Sequence, residues 1–268
     1  MPSIHPSESP PLGWLIPCLA VKDLVASIDW YAKFDLEMYG GNVQENWAML
    51  RNRAVEIHLF QGHIEKDCLN FRGGDLPVIR DALLARGLST RGEESFAKWT
   101  FVDPDGRDVF FDSSPEEMAD YAAGKPTTIP FGGDDVHAGE GMDLGNFAVC
   151  LNCADLAATS KFYETLGFQP TMGEPEQGWS ILTRVDHPPE FGKRMSTTSL
   201  SLFQGMIPAD TLNFRGGNVG EIAATLAERG VHLGDGLQTA ADGGESLFLM
   251  DPDGHPILFD TSPPERLY

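Results

Sequence analysis

One stretch of this chain occurs twice. The segment LFQGHIEKDCLNFRGGD at residues 59–75 returns as LFQGMIPADTLNFRGGN at residues 202–218. A repeat this close, with the same turn residues at the same internal distances, predicts two copies of one fold, each with its own candidate pocket. The residues that differ between the copies are therefore the best guide to function.

The repeat divides the chain into two predicted domains, at residues 13–115 and 146–263. A total of 268 residues agrees with this division, because single domains usually have about 100–200 residues. We expect residues 1–12 to be a disordered tail and residues 264–268 to be a second tail. Residues 116–145 are predicted to be a linker, because the stretch 124–145 is rich in Gly, Pro and Asp, which disfavour regular structure.

The chain is strongly acidic. Its 19 Lys and Arg against 40 Asp and Glu give a formal net charge of −21. Such a charge repels phosphate backbones and anionic lipid surfaces, so neither nucleic acid nor a membrane is expected as a partner. The charge either serves solubility or attracts cationic ligands or metal ions into acidic clefts.

The four cysteines do not form the pattern of a zinc ribbon or a disulfide framework. Cys150 and Cys153 have the two-residue spacing, but no second pair accompanies them. The first residues lack a basic stretch followed by an apolar run, and no segment reaches the roughly 18 apolar residues that a membrane span needs. We therefore expect a cytoplasmic protein.

Each copy consists of two shorter units of strand, helix and further strands. In the first copy, LIPCLAV at residues 15–21 is a predicted strand, and Asp23 is placed to cap the helix that follows. WAMLRN and AVEIHLF are predicted to form a strand pair. CLNFR is predicted to begin the second unit, whose helix stops near Gly87 and whose last two strands flank a DPDG turn. In the second copy Asn218 is the predicted cap and Gly230 the predicted stop.

Two motifs occur in the same order in both copies: VKDLVASIDWY and then VDPDGRDVFFD in the first, NCADLAATSKFY and then MDPDGHPILFD in the second. This ordered set resembles the vicinal oxygen chelate superfamily, which includes glyoxalase I, extradiol dioxygenases, fosfomycin resistance enzymes and bleomycin resistance proteins. The resemblance covers nearly all of both copies. It implies an α+β fold with two tandem domains, each of two βαβββ modules that form a curved mixed sheet around a cavity.

The resemblance also implies a divalent metal on the concave face of each sheet, at four ligand positions. In the two copies these positions hold Ile16 and Ala148, Glu56 and Ser199, Cys68 and Thr211, and Phe110 and Leu258. A metal in such a site needs three or four N, O or S donors at about 2.0–2.3 Å. We therefore expect no metal and no other cofactor. A shifted divalent metal site of Glu56, His58, Cys68 and Asp108 is the alternative.

Strand alternation places Glu56, His58 and Phe60 on one face of their strand. Glu56, His58 and Cys68 are therefore the candidate catalytic residues. In the alternative interpretation these side chains have no catalytic role and line a pocket that orients a ligand. Cys68 is either a small buried residue or a thiolate nucleophile.

The candidate ligand-binding residues share these strand faces or are aromatic side chains near them. Asn70 and Asn213, with Arg72 and Arg215, have an alternative structural role at the corner between strand and helix. The DPDG turns are predicted to be architectural. No role is assigned to His5, His63, His187, His232 or His255. The ligand-binding set is Trp14, Trp47, Glu56, His58, Cys68, Asn70, Phe110, Trp179, Ser199, Thr211, Asn213 and Leu258.

The sequence is best interpreted as a protein that binds or sequesters a small organic molecule, cationic or aromatic, in the manner of bleomycin resistance proteins. The alternative is a metal-dependent or cysteine-dependent enzyme of the lyase or dioxygenase type, with its site in the first domain. A purely structural partner-binding protein has no motif in its favour. The chain is expected to be a monomer whose two domains pair like a dimer, or a homodimer.

Overall fold

The computed structural model describes residues 10, 12–53, 55–91, 98–122, 141–185, 197–262 and 264. These residues form fifteen β-strands and five α-helices. None of the helices in these segments is long and apolar enough to cross a membrane. The large share of strand, arranged in two mixed sheets, confirms the prediction of an α+β fold.

The first copy contains seven strands and three helices. In chain order they are β1 (Gly13–Ala20), α1 (Leu24–Tyr31), β2 (Glu37–Asn42), β3 (Trp47–Asn52), β4 (Val55–Phe60), β5 (Cys68–Gly73), α2 (Leu76–Ala85), β6 (Lys98–Val102), β7 (Asp108–Asp112) and α3 (Pro115–Ala122). The strands form one sheet in the order β2-β3-β4-β1-β5-β7-β6. Strands β1 and β4 are parallel, as are β5 and β7, while β2, β3 and β4 are antiparallel neighbours.

The second copy repeats this arrangement and adds a short strand. Its elements are β8 (Asn146–Asn152), α4 (Leu156–Thr165), β9 (Gln169–Glu174), β10 (Trp179–Val185), β11 (Thr197–Phe203), β12 (Thr211–Arg215), α5 (Val219–Glu228), β13 (Gln238–Thr239), β14 (Glu245–Met250) and β15 (Pro256–Thr261). The sheet order is β13-β14-β15-β12-β8-β11-β10-β9.

The helices begin where the capping residues predict. The Asp23 carboxylate accepts a hydrogen bond from the backbone N–H of Ala26, and the Asn218 side chain accepts one from that of Glu221. Each bond satisfies an N–H group that the first turn of a helix leaves without a partner. Both predicted caps are confirmed.

The chain divides into two compact units, and each unit draws on both copies of the repeat. Unit 1 contains residues 1–17, 67–130 and 151–208, and unit 2 contains residues 18–66, 131–150 and 209–268. Within unit 2, one apolar cluster joins α1 and β4 of the first copy to α5 and β15 of the second. Phe34 stacks on Phe259 there, with ring centroids 5.9 Å apart. Within unit 1, Phe71 contacts Phe168 edge to face at 6.1 Å.

Buried residues precede the predicted first residue of each domain. Leu12 and Leu144 are buried, each just before the first strand of its copy. Arg184 donates to the carbonyl of Pro10, and Asn52 donates to the carbonyl of Met142 at 2.9 Å. Helix α3 overlaps the start of the predicted linker. The rest of the predicted tails and linker, residues 1–9, 11, 123–140 and 265–268, lies outside the described residues.

Each DPDG turn is bound by the first helix of the other copy, a contact that we call a turn clamp. In unit 1, Asp103 accepts hydrogen bonds from Arg107 at 2.7 Å and from the Tyr163 hydroxyl at 3.2 Å. Asp105 accepts from the Thr159 hydroxyl at 2.6 Å and from the backbone N–H of Ala154.

The turn clamp of unit 2 repeats this geometry with Ser27 in place of Thr159 and His255 in place of Arg107. Asp251 accepts a hydrogen bond from the Tyr31 hydroxyl at 2.9 Å, and its carboxylate lies 2.6 Å from Nδ1 of His255. Asp253 accepts from the Ser27 hydroxyl at 3.0 Å and from the backbone N–H of Lys22. His255 thus stands where the first copy has an arginine, and the turns connect distant parts of the chain as well as reversing its direction.

Candidate functional site

The buried pair Glu56 and His58 lies on strand β4, within unit 2. Glu56 is 7% exposed and His58 is 2% exposed. Nε2 of His58 lies 2.7 Å from Oε1 of Glu56, and the Tyr39 hydroxyl donates to the same oxygen. Since a buried carboxylate is stable only when it is hydrogen-bonded or paired, these two partners hold Glu56 in one orientation.

Tyr39 reaches this pair because strand β2 is irregular. The register between β2 and β3 shifts between Met38 and Gly40, and Tyr39 is the extra residue at that bulge. The guanidinium carbon of Arg51 lies 4.6 Å from the centre of the Tyr39 ring, a cation–π contact that fixes the ring from the side of β3. Arg51 is also the cross-strand neighbour of Glu56.

Apolar side chains continue the same face of β3 and β4. Trp47 is the cross-strand neighbour of Phe60, and Met49 is that of His58. All three apolar side chains are half-buried. The opposite face of these strands carries Leu50, Ile57 and Leu59, which lie in the core of unit 2. We call the first group the Glu56 face, consisting of Tyr39, Trp47, Met49, Arg51, Glu56, His58 and Phe60.

Both described partners of the Glu56 carboxylate bind the same oxygen. The Tyr39 hydroxyl and the His58 ring both bond Oε1, and no described residue hydrogen-bonds Oε2. A carboxylate can accept about four hydrogen bonds, so Oε2 remains available to a donor that the chain itself does not supply.

The equivalent face of the second copy, in unit 1, carries hydroxyl groups instead of charges. Thr171, Thr183, Ser199 and Ser201 stand where the first copy has Tyr39, Arg51, Glu56 and His58, with Thr183 opposite Ser199 and Ile181 opposite Ser201. The Thr171 and Thr183 hydroxyls lie 2.9 Å apart. Trp179 and Phe203 are paired as Trp47 and Phe60 are. The copies therefore keep the aromatic pair and differ in polar chemistry.

Asn70 and Asn213 occupy equivalent positions on β5 and β12 and are equally buried, at 3% and 4% exposure. The Asn213 amide donates to a carboxylate oxygen of Asp260 at 2.6 Å and to the carbonyl of Leu258 at 3.3 Å. Oδ1 of Asn70, in contrast, has no hydrogen-bond partner among the described residues. Leaving such a group unpaired costs about 1–3 kcal/mol.

The arginines next to these amides form ion pairs with the neighbouring strand. Arg72 lies 3.0 Å from Asp112 and 3.0 Å from Glu117, and Arg215 lies 3.0 Å from Asp260. The structural alternative for Arg72 and Arg215 thus has support, although their partners are carboxylates and not the backbone groups of a corner.

The remaining predicted site residues are more dispersed. Cys68 is partly buried and stands opposite Asp108 in the parallel pair β5–β7, where Arg91 bonds Asp108 at 2.7 Å. The Thr211 hydroxyl donates to the carbonyl of Ala209 at the start of its strand. Phe110 and Leu258 are half-buried, and the side chain of Trp14 lies outside the described residues.

The positions that the resemblance assigns to a metal do not fit one. Ile16 and Ala148 offer no donor, nor do Phe110 and Leu258. Among the residues that the structure describes, no group of three or more His, Cys, Asp or Glu is arranged to hold a metal ion. Of the shifted set, Glu56 and His58 belong to unit 2, and Cys68 and Asp108 belong to unit 1. Burial raises the pKa of the Cys153 thiol to about 11, which makes it a poor ligand at neutral pH.

Solved structures with the same fold include a glyoxalase and extradiol dioxygenases. The Mn(II)-bound glyoxalase from Novosphingobium aromaticivorans is 17% identical over 94% of this chain and 83% of its own, with a TM-score of 0.58. An extradiol ring-cleaving dioxygenase from B. fuscum is 17% identical over 95% of this chain and 73% of its own, with a TM-score of 0.59.

The homoprotocatechuate 2,3-dioxygenase of Brevibacterium fuscum in complex with 3,4-dihydroxyphenylacetate is also 17% identical, over 95% of this chain and 82% of its own, with a TM-score of 0.58. No protein-family model and no curated protein matches the sequence. The structural likeness shows that the chain has the vicinal oxygen chelate fold, and its sheets of seven and eight strands fit two tandem domains of that fold.

Proposed function

We propose that this protein binds a small organic molecule on the Glu56 face of its first copy. The observation that carries the proposal is the arrangement of Glu56, whose Oε1 is held by Tyr39 and His58 while Oε2 has no described partner. A buried acceptor of this kind suits a ligand with an N–H, O–H or ammonium donor.

The surroundings of Glu56 support a ligand with an apolar body. Trp47, Met49 and Phe60 provide a half-buried aromatic and thioether surface on the same strands. Aromatic rings bind flat or cationic groups, and ligand sites usually combine such a surface with a few fixed polar groups. The net charge of −21 favours the approach of a cation. A cationic aromatic molecule therefore matches this face, and sequestration needs no further chemistry.

Benzylamine and benzyl alcohol form a matched probe pair, because they share the ring and differ in the ammonium group. We expect benzylamine to change the tryptophan fluorescence of the metal-stripped protein saturably and benzyl alcohol to bind at least about tenfold more weakly. Glu56→Gln should weaken benzylamine binding by a similar factor, since a charge-assisted hydrogen bond contributes about 1.5–3 kcal/mol.

The control for the change in net charge is Glu65→Gln, which removes a carboxylate from an exposed loop position. This variant should bind benzylamine like the unaltered protein. Equal binding of the two probes, or equal effects of the two substitutions, would contradict the proposed role of Glu56.

A second candidate function is an enzyme of the lyase or dioxygenase type that uses the same face. The contact of 2.7 Å between His58 and Glu56 favours it, because a histidine oriented by a carboxylate is a common general base. Elemental analysis of the protein as purified separates the two functions. Stoichiometric iron, manganese, nickel or zinc that is lost in Glu56→Ala would favour a metalloenzyme and replace the binding proposal.

A further inference from the structure

Asn70 is a buried amide that lacks the hydrogen bonds of its counterpart in the other copy. Both asparagines lie in the repeated LNFRGG motif, on the strand face opposite to the core residues Leu69 and Phe71. Asn213 uses its amide on Asp260 and Leu258, whereas Oδ1 of Asn70 is buried without a partner in the part of the chain that the structure describes. The fold can therefore bond the amide nitrogen at this position, and in the first copy the amide oxygen is a buried acceptor that no described residue uses.

The reason lies in the neighbouring carboxylate. Asp112 corresponds to Asp260, but in the first copy Arg72 bridges it to Glu117 of α3, with both contacts at 3.0 Å. The Asn70 amide makes no hydrogen bond to Asp112 or to the strand beside it. Its capacity to donate and to accept is thus left for a group that does not belong to the described chain.

The surroundings of Asn70 are neutral and partly aromatic. Phe110 is its neighbour on β7 and is half-buried, and Thr100 is the next residue across, on β6. The nearby charges are already paired, Arg72 with Asp112 and Arg91 with Asp108. A charged ligand would find no free counter-charge among these groups, whereas an aromatic ring could pack on Phe110.

We propose that Asn70 is a recognition contact for a neutral, planar ligand in which an N–H donor stands next to a carbonyl acceptor, as in a lactam or a cyclic amide. The amide of Asn70 would form a pair of hydrogen bonds with these two groups while the ring packs on Phe110. This contact lies in unit 1, and it goes beyond the ammonium recognition proposed for Glu56 in unit 2. Each proposal has its own probe and its own variants, so one can fail without the other.

The probe is 2-pyridone, a flat ring with adjacent N–H and C=O groups, and its control is N-methyl-2-pyridone, which keeps the carbonyl and lacks the donor. By ligand-observed NMR on the full chain, we expect saturable binding of 2-pyridone and at least about tenfold weaker binding of the methylated compound. Asn70→Leu should weaken 2-pyridone binding by more than this factor, because it removes both hydrogen bonds and each one of about 1.4 kcal/mol corresponds to tenfold in affinity.

Thermal unfolding without ligand gives an independent readout. Asn70→Leu should leave the Tm unchanged or raise it, since it removes a polar group that has no partner, and Asn213→Leu should lower the Tm by several degrees, since it removes two hydrogen bonds. If Asn70→Leu fails to fold, Asn70→Asp keeps the size and shape and loses the amide donor, and it should lose 2-pyridone binding in the same way.

Three results would overturn the proposal. The first is the absence of saturable 2-pyridone binding, which would leave water as the partner of Asn70. The second is equal binding by the unaltered protein and an Asn70 variant that folds. The third is a loss of Tm in Asn70→Leu as large as that in Asn213→Leu, which would mean that the amide has a structural partner.

Discussion

The Tyr31 and Tyr163 hydroxyls each donate to a buried aspartate of a turn that belongs to the other copy, with distances of 2.9 and 3.2 Å. Both tyrosine side chains are fully buried, so the bond cannot be replaced easily by water. A phenol that donates to a carboxylate in such a place stabilises the folded chain more than an exposed hydrogen bond does.

We expect Tyr31→Phe and Tyr163→Phe each to lower the free energy of unfolding by about 1.5–3 kcal/mol, the range for a hydrogen bond to a charged group. Urea titrations of the two variants and the unaltered protein measure the difference. Tyr39→Phe serves as a comparison, because Tyr39 is 39% exposed and its loss should matter less for stability. An equal loss in the free energy of unfolding in all three variants would contradict the claim that buried hydrogen bonds contribute more to stability than exposed ones.

The turn clamp of unit 2 should also make stability depend on pH. Burial alone would raise the pKa of Asp251, but the hydrogen bond and charge of His255, with the Tyr31 hydroxyl, outweigh it and hold the pKa below its ordinary value of 3.8. A carboxyl with a lowered pKa stabilises the folded state fully above its unfolded pKa and loses this contribution as the pH falls through the folded value.

The unaltered protein should therefore be more stable than Asp251→Asn at pH 7, and the difference should shrink once the pH falls below about 4. Urea titrations of both proteins from pH 7 down to the lowest pH at which they remain folded would measure this difference in the free energy of unfolding. A difference that is constant down to the lowest pH would show that Asp251 does not titrate as its contacts require. Asp105 has a lowered pKa for related reasons, because the bonds from Thr159, Ala154 and Arg107 outweigh its burial.

At the residue scale, alternation along a strand was enough to place Glu56 and His58 on one face. It could not place Tyr39, because a bulge breaks the alternation of β2 and leaves no mark in composition. His255 was assigned no role from sequence, and the structure pairs it with Asp251. Its signal was present in the repeat, since it stands at the position of Arg107 after an identical DPDG turn.

Among the elements, strand β4 and its counterpart β11 differ most in chemistry. The two strands pair with equivalent strands, yet β4 carries Glu56 and His58 where β11 carries Ser199 and Ser201. The second copy shows that the fold tolerates hydroxyls at both positions.

The double variant Glu56→Ser/His58→Ser should therefore fold, with a free energy of unfolding within about 2 kcal/mol of the unaltered value, because replacing a whole buried pair is often neutral. The single variant Glu56→Ser should be less stable than the double variant, since it leaves His58 buried without its partner. Circular dichroism and urea titration of both variants test this order. A double variant that is the less stable of the two would show that the pair has a structural role that serines cannot supply.

At the element scale the helix starts were predictable, because Asp23 and Asn218 act locally on the first turn of their own helices. Helix α3 is not predictable in this way, because its segment PEEMADYA directly precedes a Gly- and Pro-rich stretch, which favours a linker. Local patterns predict the pairs β3–β4 and β6–β7, whereas pairs between strands that are distant in sequence, such as β1–β4, cannot be read from local patterns.

For the whole molecule, the repeat predicted two structural copies, but the compact units do not follow the boundary between them. Each unit combines segments from both copies, and the apolar core of unit 2 contains Leu59 of the first copy and Phe259 of the second. Sequence similarity identifies which segments are alike and carries no information on which segments pack together.

Residues 1–130 should therefore not behave as a folded monomer when produced alone. The segments that complete the core of unit 2 would be missing, and α1 and β4 would expose their apolar faces. Size-exclusion chromatography and thermal unfolding should show an unfolded or self-associated fragment. Adding residues 131–268 should restore a cooperative transition in a one-to-one complex. A monomeric fragment with a sharp transition of its own would contradict the interleaved packing.

The turn clamps also affect how the two halves of the gene can evolve. The partners of Asp105 are encoded about fifty codons downstream, and those of Asp253 more than two hundred codons upstream, in the opposite half of the gene. A mutation at one end of such a contact can be compensated only by a change in the other half. The two halves are therefore expected to change in step during evolution. In a hybrid gene that joins one half to the corresponding half of another gene, the residues of the turn clamps would no longer match.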